Sequence, residues 1–229
     1  MIYYDFHIHS CLSPCGDNDM TPNNIVNMAA LSGLDTIAIS DHNTIGNVKA
    51  AMEVGKSCGV NVIPGMEVET SEEVHILTLY PSLEAAEVVA KEVYKRLPDI
   101  KNKTEIFGEQ IHMDCDDNIV GYEDKLLISP ADISFDELYD LVKSVGGLFI
   151  PAHVDRHSYS VLTNLGFIPE EFDIKFIEVS TATTDLQSYL QARSDLKKYK
   201  VFRNSDAHYL ENMSMKDAFL DIDDIKDLF

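Results

Sequence analysis

The chain has 229 residues, 45% of them hydrophobic, with 39 acidic against 18 basic side chains and a formal charge of −21. That length and apolar content suit one substantial core, and α/β barrels of this size commonly form a single domain, here 1–229. The charge excludes a surface built to neutralise nucleic-acid phosphates, so nucleic acid larger than a nucleotide is disfavoured as a partner.

Residues 2–9 read as a strand, and His7 and His9, at i and i+2, project from one face of it. The first twenty residues, broken by Asp5, His7, His9 and Asp17, lack the basic start and apolar stretch of a signal peptide. No run of about 18 apolar residues occurs anywhere, so no membrane partner and a cytoplasmic location are expected. Thr21 as N-cap with Pro22 at the first helical position opens a helix that Gly33 is placed to end.

Residues 36–40 are short and apolar, as in a strand buried on both faces, and 48–58 read as helix ending at Gly59. Residues 60–63 form the next strand, whose exit past Pro64-Gly65 reaches Glu67; 74–80 supply another, carrying His75. Helical periodicity returns over 83–96, closed by Pro98. Residues 98–133 lack a clear period and are either an irregular excursion or a short helix plus hairpin. A connection that long usually has a task, such as walling an active site.

Ser134 with Glu137 predicts a capping box for a helix reaching Val145 and stopped by Gly146-Gly147. Three further strands follow, at 148–151 leading to His153, at 176–179 and at 200–204, the last two separated by a helical stretch over 186–196. About seven strands alternate with helices, which favours a parallel α/β sheet or barrel. In such barrels the reactive residues sit at strand exits, where His7, His9, Asp41, His42, Glu67, His153, Asp206 and His208 all fall. Neutral imidazole suits borderline divalent metals and carboxylates balance the charge. The four cysteines, Cys11, Cys15, Cys58 and Cys115, form no C-x-x-C pair and are expected to be reduced thiols.

The segments Asp5-Phe-His7-Ile-His9-Ser10, Ser40-Asp41-His42-Asn43-Thr44, Gly65-Met66-Glu67-Val68, Pro151-Ala152-His153-Val154-Asp155-Arg156 and Asn204-Ser205-Asp206-Ala207-His208 support a name. In order and spacing the chain resembles the PHP (polymerase and histidinol phosphatase) superfamily of metal-dependent phosphoesterases over nearly its whole length. The resemblance implies a distorted (β/α)7, TIM-barrel-like fold holding two or three divalent ions of zinc, manganese or iron. By the family's pattern His7, His9, Glu67 and Asp206 hold one ion, Glu67 bridges to a second held also by His153 and His75, and His42 and His208 serve a third. Several members carry another histidine shortly after the His-x-His pair. Here that stretch holds Cys15 and Asp17: either can stand in, or the third site is weak or empty and Cys15 is a buried structural thiol, the reading favoured for it.

Ions sharing a carboxylate can activate a bridging hydroxide to attack a phosphate ester, while Asp41 orients water, takes a proton or binds metal. Arg156 either grips the substrate phosphate or makes a surface salt bridge. His112 reads as a surface imidazole or a metal group, and His157 as a substrate contact or a solvated side chain. The expected activity is hydrolysis of the phosphate ester of a small phosphorylated metabolite. Phosphodiester or nuclease chemistry, or a noncatalytic metal-binding regulatory module, are the alternatives.

Overall fold

The computed structural model describes residues 1–216 and 218–229. In chain order the elements are β1 (Ile2–Ile8), α1 (Pro22–Leu31), β2 (Thr36–Ile39), α2 (Val48–Cys58), β3 (Asn61–Glu69), β4 (His75–Leu79), α3 (Leu83–Arg96) and α4 (Thr104–Phe107). Then come β5 (Ile111–Met113), β6 (Ile119–Tyr122), α5 (Phe135–Ser144), β7 (Leu148–Pro151), α6 (Val161–Asn164), β8 (Phe176–Glu178), α7 (Leu186–Ala192), β9 (Lys200–Phe202) and β10 (Phe219–Leu220). Helix ends follow local chemistry. Thr21 caps Asn24 N ahead of Pro22, and Ser134 and Glu137 form the reciprocal capping box. Among the described residues no helix is long and apolar enough to cross a membrane.

Six strands in the order β10-β1-β2-β3-β4-β7 make one curled sheet, and β8 and β9 form a parallel pair. Val154 N donates to Glu178 O (2.9 Å) beside β7 and β8, and His9 N donates to Ala207 O (2.9 Å) where the chain leaves β9. Seven strands, β1-β2-β3-β4-β7-β8-β9, therefore follow one another round a distorted α/β barrel. The arrangement is not wholly parallel as expected: β4 runs antiparallel to both β3 and β7. Residues 70–74 alone separate β3 from β4, too short a link for the helical crossover that parallel neighbours need. The start of β4, with His75, consequently lies at the end of the barrel where the other strands exit.

Tyr4, Phe6, Ala38, Ile63, Leu77, Ile150, Phe176 and Phe202, one or more from each strand, fill the barrel interior, with Leu228 of the C-terminal 3-10 turn packed against them. Tyr4 stacks on Phe6 at 4.6 Å and Phe176 on Phe202 at 4.7 Å. Outside the strands, Ile8, Ile37 and Ile39 pack with Ile25 and Val26 of α1 and Val54 of α2. Val68, Ile76 and Ile177 pack with Val89 of α3 and Phe135 of α5.

β1 carries an irregularity that decides the site. Asp5 stands opposite Ile37 and Ile8 opposite Ile39, three steps on one strand against two on the other. The extra residue lets Phe6 and His7 both turn into the barrel while Ile8 packs outward, the re-aiming that a β-bulge performs.

Between 98 and 133 the short helix plus hairpin is what forms, as α4 and the antiparallel pair β5–β6. Buried Asn43 and Asn47, in the loop after β2, tie this excursion down. Asn43 Nδ2 donates to Leu127 O (2.7 Å), Asn47 Nδ2 to Ile111 O (3.0 Å), and Met113 N donates to Asn47 Oδ1 (2.9 Å).

Candidate metal centre

The interior face of β3 carries Ile63, Gly65, Glu67 and Glu69 in alternation. A Cβ on Gly65 would meet Ile39 O at 2.9 Å and Ala38 Cβ at 3.1 Å, so glycine lets β2 and β3 close up beneath the site. Above it, the Glu67 carboxylate is ringed by five imidazoles: His75 Nδ1 at 2.9 Å, His42 Nδ1 at 3.2 Å, His153 Nε2 at 3.2 Å, His7 Nε2 at 3.3 Å and His9 Nε2 at 3.5 Å. Asp206 Oδ1 lies 3.1 Å from His9 Nε2 and 3.4 Å from His7 Nε2, and His208 stacks on His9 with ring centroids 4.4 Å apart. His153 and Asp206 both hold left-handed backbone, φ 28° and 52°, which non-glycine residues adopt at a cost met by the surrounding structure.

The structure brings His7, His9, His42, Glu67, His75, His153, Asp206 and His208 into one cluster. Three sets of ligand atoms in it lie within 4.8 Å of one another: His7–His9–Asp206, His42–Glu67–His75, and His9–Cys15–His42–His208. Asp17 is not among them, since its carboxylate accepts from Asp19 N (2.9 Å) in a turn. Asp41, expected among the reacting groups, stands one hydroxyl back. Its oxygens accept from Ser10 N, Ser10 Oγ and Ser13 Oγ, and Ser13 Oγ in turn meets His9 Nδ1 at 3.0 Å. Arg156 makes neither a contact with its neighbour Asp155 nor a free end: its Nη1 sits 2.6 Å from Asp206 Oδ2. His112, in β5, has its ring against Gly46, with Nε2 3.6 Å from Glu123, and His157 is exposed; neither joins the cluster.

Sequence reasoning passed over Glu178. Buried at the end of β8, it receives His7 Nδ1 (2.9 Å), Asn204 Nδ2 (2.7 Å) and His153 N (3.1 Å), so it fixes which nitrogen His7 turns toward Glu67. The one signal was a carboxylate in the otherwise apolar run Phe176-Ile177-Glu178-Val179.

A PHP domain family model matches residues 5–212. The chain belongs to the PHP domain family. This PHP chain is 34% identical over 79 residues to a 5'-3' exoribonuclease of Haemophilus influenzae, a match taking in 33% of the chain and 28% of that relative. It is 36% identical over 80 residues to the phosphoribosyl 1,2-cyclic phosphate 1,2-diphosphodiesterase of Eggerthella lenta, a match spanning 33% of the chain and 29% of the relative. Among solved structures, endonuclease Q of Pyrococcus furiosus superposes with a TM-score of 0.64 at 19% identity, covering 90% of this chain and 48% of that one. An amidohydrolase of Chromobacterium violaceum, with bound sulfate and no metal, gives a TM-score of 0.61 at 20% identity, covering 90% of this chain and 87% of the other. Both structures are like this one in fold.

The electrostatics of the PHP cluster fit resident cations. Burial pushes Glu67 up, but His75, His7 and His42 outweigh it and hold the carboxyl well below the ordinary range. Burial pushes His7 down, yet Glu178, Glu67 and Asp206 hold it well above its usual value. His42 goes the other way, kept well below by burial and by His9 and His75 despite Glu67. Adjacent imidazoles thus compete for protons around shared carboxylates. Four buried ring nitrogens, His7 Nε2, His42 Nδ1, His75 Nε2 and His153 Nδ1, have no hydrogen-bond partner among the described residues. Buried donors and acceptors are rarely left so, and imidazole–carboxylate sets of this kind are divalent-metal ligands.

Proposed function

We propose that this chain is a metal-dependent phosphoric ester hydrolase acting on a small, nucleotide-sized phosphate ester. The observation that carries the reading is the buried Glu67 carboxylate inside five imidazoles, two of which, His7 through Nε2 and His42 through Nδ1, face it with ring nitrogens that no hydrogen bond among the described residues satisfies. His7, His9, Glu67 and Asp206 would hold one ion, and Glu67, His75 and His153 a second. Ions held there would supply Lewis acidity, lowering the pKa of water and neutralising charge on phosphoryl oxygens.

The protein's own groups do the rest. Glu178 and the Ser13–Asp41 pair turn His7 and His9 to face the centre, as outer partners of metal-ligating histidines do. Arg156, 42% exposed above the 6% exposed Asp206 side chain, reaches from the mouth, where its planar fork can bind two phosphate oxygens. Tyr159, on the same loop, is 47% exposed and stacks on His75 at 4.8 Å, leaving one ring face for a planar base. The net charge of −21 argues for a small substrate, since the acidic surface repels a long polyanion laid along it, while screening over about 8 Å leaves a small ester at the cluster little affected by distant charges.

The matched 79 residues of an exoribonuclease favour a second reading, removal of nucleotides from a nucleic-acid end. One experiment tests both: elemental analysis after metal loading, with turnover of mononucleotides, cyclic phosphates, bis-p-nitrophenyl phosphate and a short RNA in manganese or zinc. Binding of at least two ions per chain and faster hydrolysis of the small esters are expected. Faster RNA trimming would favour the second reading, and binding of less than one ion by the folded chain would overturn both.

A further inference from the structure

The two carboxylate-containing ligand sets differ in chemistry from the third. His7–His9–Asp206 and His42–Glu67–His75 each include an oxygen donor, whereas His9–Cys15–His42–His208 offers only imidazole nitrogen and sulfur. Cys15 and His208 belong to this third set alone.

The position of Cys15 is built into the loop. Ser13 N donates to Ser10 O (3.0 Å) and Gly16 N to Ser13 O (2.9 Å), winding residues 10–16 into consecutive turns, and Asp17 N donates to His208 O (2.9 Å), stitching that loop to the other cluster strand. A Cβ on Gly16 would stand 2.3 Å from Ser10 O, so only glycine allows the turn that brings the Cys15 thiol over His9. Cys15 is a free thiol, and its loop is anchored beneath by Ser10 and Ser13 on the buried Asp41. A sulfur donor held this closely among three imidazoles is a designed neighbour of them, not a stray core thiol.

Thiolate and imidazole together suit zinc and its borderline-soft relatives, while carboxylate oxygens also suit harder ions such as manganese. We propose that Cys15, with His42 and His208, makes a zinc-selective pocket beside the Glu67 centre, so that this chain holds a mixed complement of ions. The proposal rests on the metal-dependent reading above and adds to it the identity of one ion and the residue that selects it. On binding, the Cys15 S–H bond breaks, its proton passes to solvent and the sulfur lone pair goes to the metal, so charge and atoms balance without a redox partner.

The test is metal binding by the whole chain, read without turnover. Titration with Co²⁺ should give the intense near-ultraviolet band of a cobalt–thiolate bond in the wild type, lost in Cys15→Ser while the visible d–d bands of the remaining cobalt persist. Loading with manganese in excess over zinc, followed by elemental analysis, should leave zinc in the wild type. In Cys15→Ser the bound zinc-to-manganese ratio should fall about tenfold or more, because the soft donor is gone, whereas Cys15→His, which keeps a nitrogen donor that zinc also favours, should lose the thiolate band and retain zinc. Cys58→Ser, changing a thiol away from the cluster, should alter neither readout. A wild type that binds two or more ions with no thiolate band would overturn the zinc pocket and leave the hydrolase reading standing. A chain that binds no ion would sink both.

Discussion

The interior of the barrel has a lower and an upper half made by the same strands, and they are stabilised by opposite means. Below, Tyr4, Phe6, Phe176 and Phe202 close on one another with ring centroids 4.6 to 5.5 Å apart. Every contact there is complete within the protein. Above, on the same β1, β3, β4 and β8, His7, Glu67, His75 and Glu178 are equally buried yet share too few protons among too many acceptors. One layer gains from exclusion of water; the other sets imidazoles and carboxylates in competition for protons.

Changing one residue in each layer should separate these roles. Glu67→Gln keeps the volume and removes the charge at the centre of five imidazoles. Turnover is expected to fall by about 10³-fold or more, roughly 4 kcal/mol of barrier, with bound metal reduced and the circular dichroism spectrum kept. Steady-state kinetics and elemental analysis check it, and wild-type turnover would mean the centre lies elsewhere. Phe202→Ala in the lower layer should instead cost about 3 to 5 kcal/mol of stability in urea unfolding, while the folded fraction binds metal as before. If Phe202→Ala loses its metals while still folded, the two layers are not independent.

At the boundary between cluster and solvent, Arg156→Lys keeps the charge and loses the planar fork. We expect kcat/KM to drop about 10-fold to 100-fold, roughly 1.4 to 2.8 kcal/mol, with metal occupancy unchanged. Wild-type kinetics in Arg156→Ala would restrict this residue to its ion pair with Asp206. The smallest effect belongs to Asp155, whose carboxylate accepts from Ser180 N, Ser180 Oγ and Thr183 Oγ1. Burial raises its pKa, but those hydrogen bonds win and hold it below the ordinary 3.8. A depressed carboxyl contributes stability that is present above its unfolded pKa and is lost as pH falls through the folded one. Wild type should therefore exceed Asp155→Asn by about 1 kcal/mol near neutrality, a gap that narrows as the pH drops below 3.8. A gap independent of pH would show that the hydroxyl and amide contacts, not the charge, do the anchoring.

Much of the upper layer was legible because ligand chemistry is local in sequence. His7-Ile8-His9, Asp41-His42 and Asp206-Ala207-His208 each pair donor types within three residues, and the strand alternation says which face they share. For His75 the residue pattern gives a strand but no direction; because β4 runs antiparallel, its first residue is at the reacting end. Glu178 and Asp41 illustrate the opposite limit. Whether a buried carboxylate meets a metal, a histidine or a serine pair depends on contacts between residues more than 25 apart, as His7 with Glu178 and Ser10 with Asp41 show. The four-residue α6 and two-residue β10 left no periodic trace, being shorter than the windows in which periodicity can be counted.

The bulge in β1 works as a parity switch. A strand assigns its side chains alternately to two sides, so one surplus residue between Asp5 and Ile8 exchanges the sides for everything after it. Were β1 regular over this same sequence, the pattern that sends Tyr4 and Phe6 inward would send Ile8 inward too and turn His7 and His9 out among the helices. The cluster would keep Glu67, His42, His75 and His153 but lose the two imidazoles that β1 supplies. One break in the alternation, invisible in composition, is what lets a single strand line the apolar floor with Phe6 and the rim with His7 and His9.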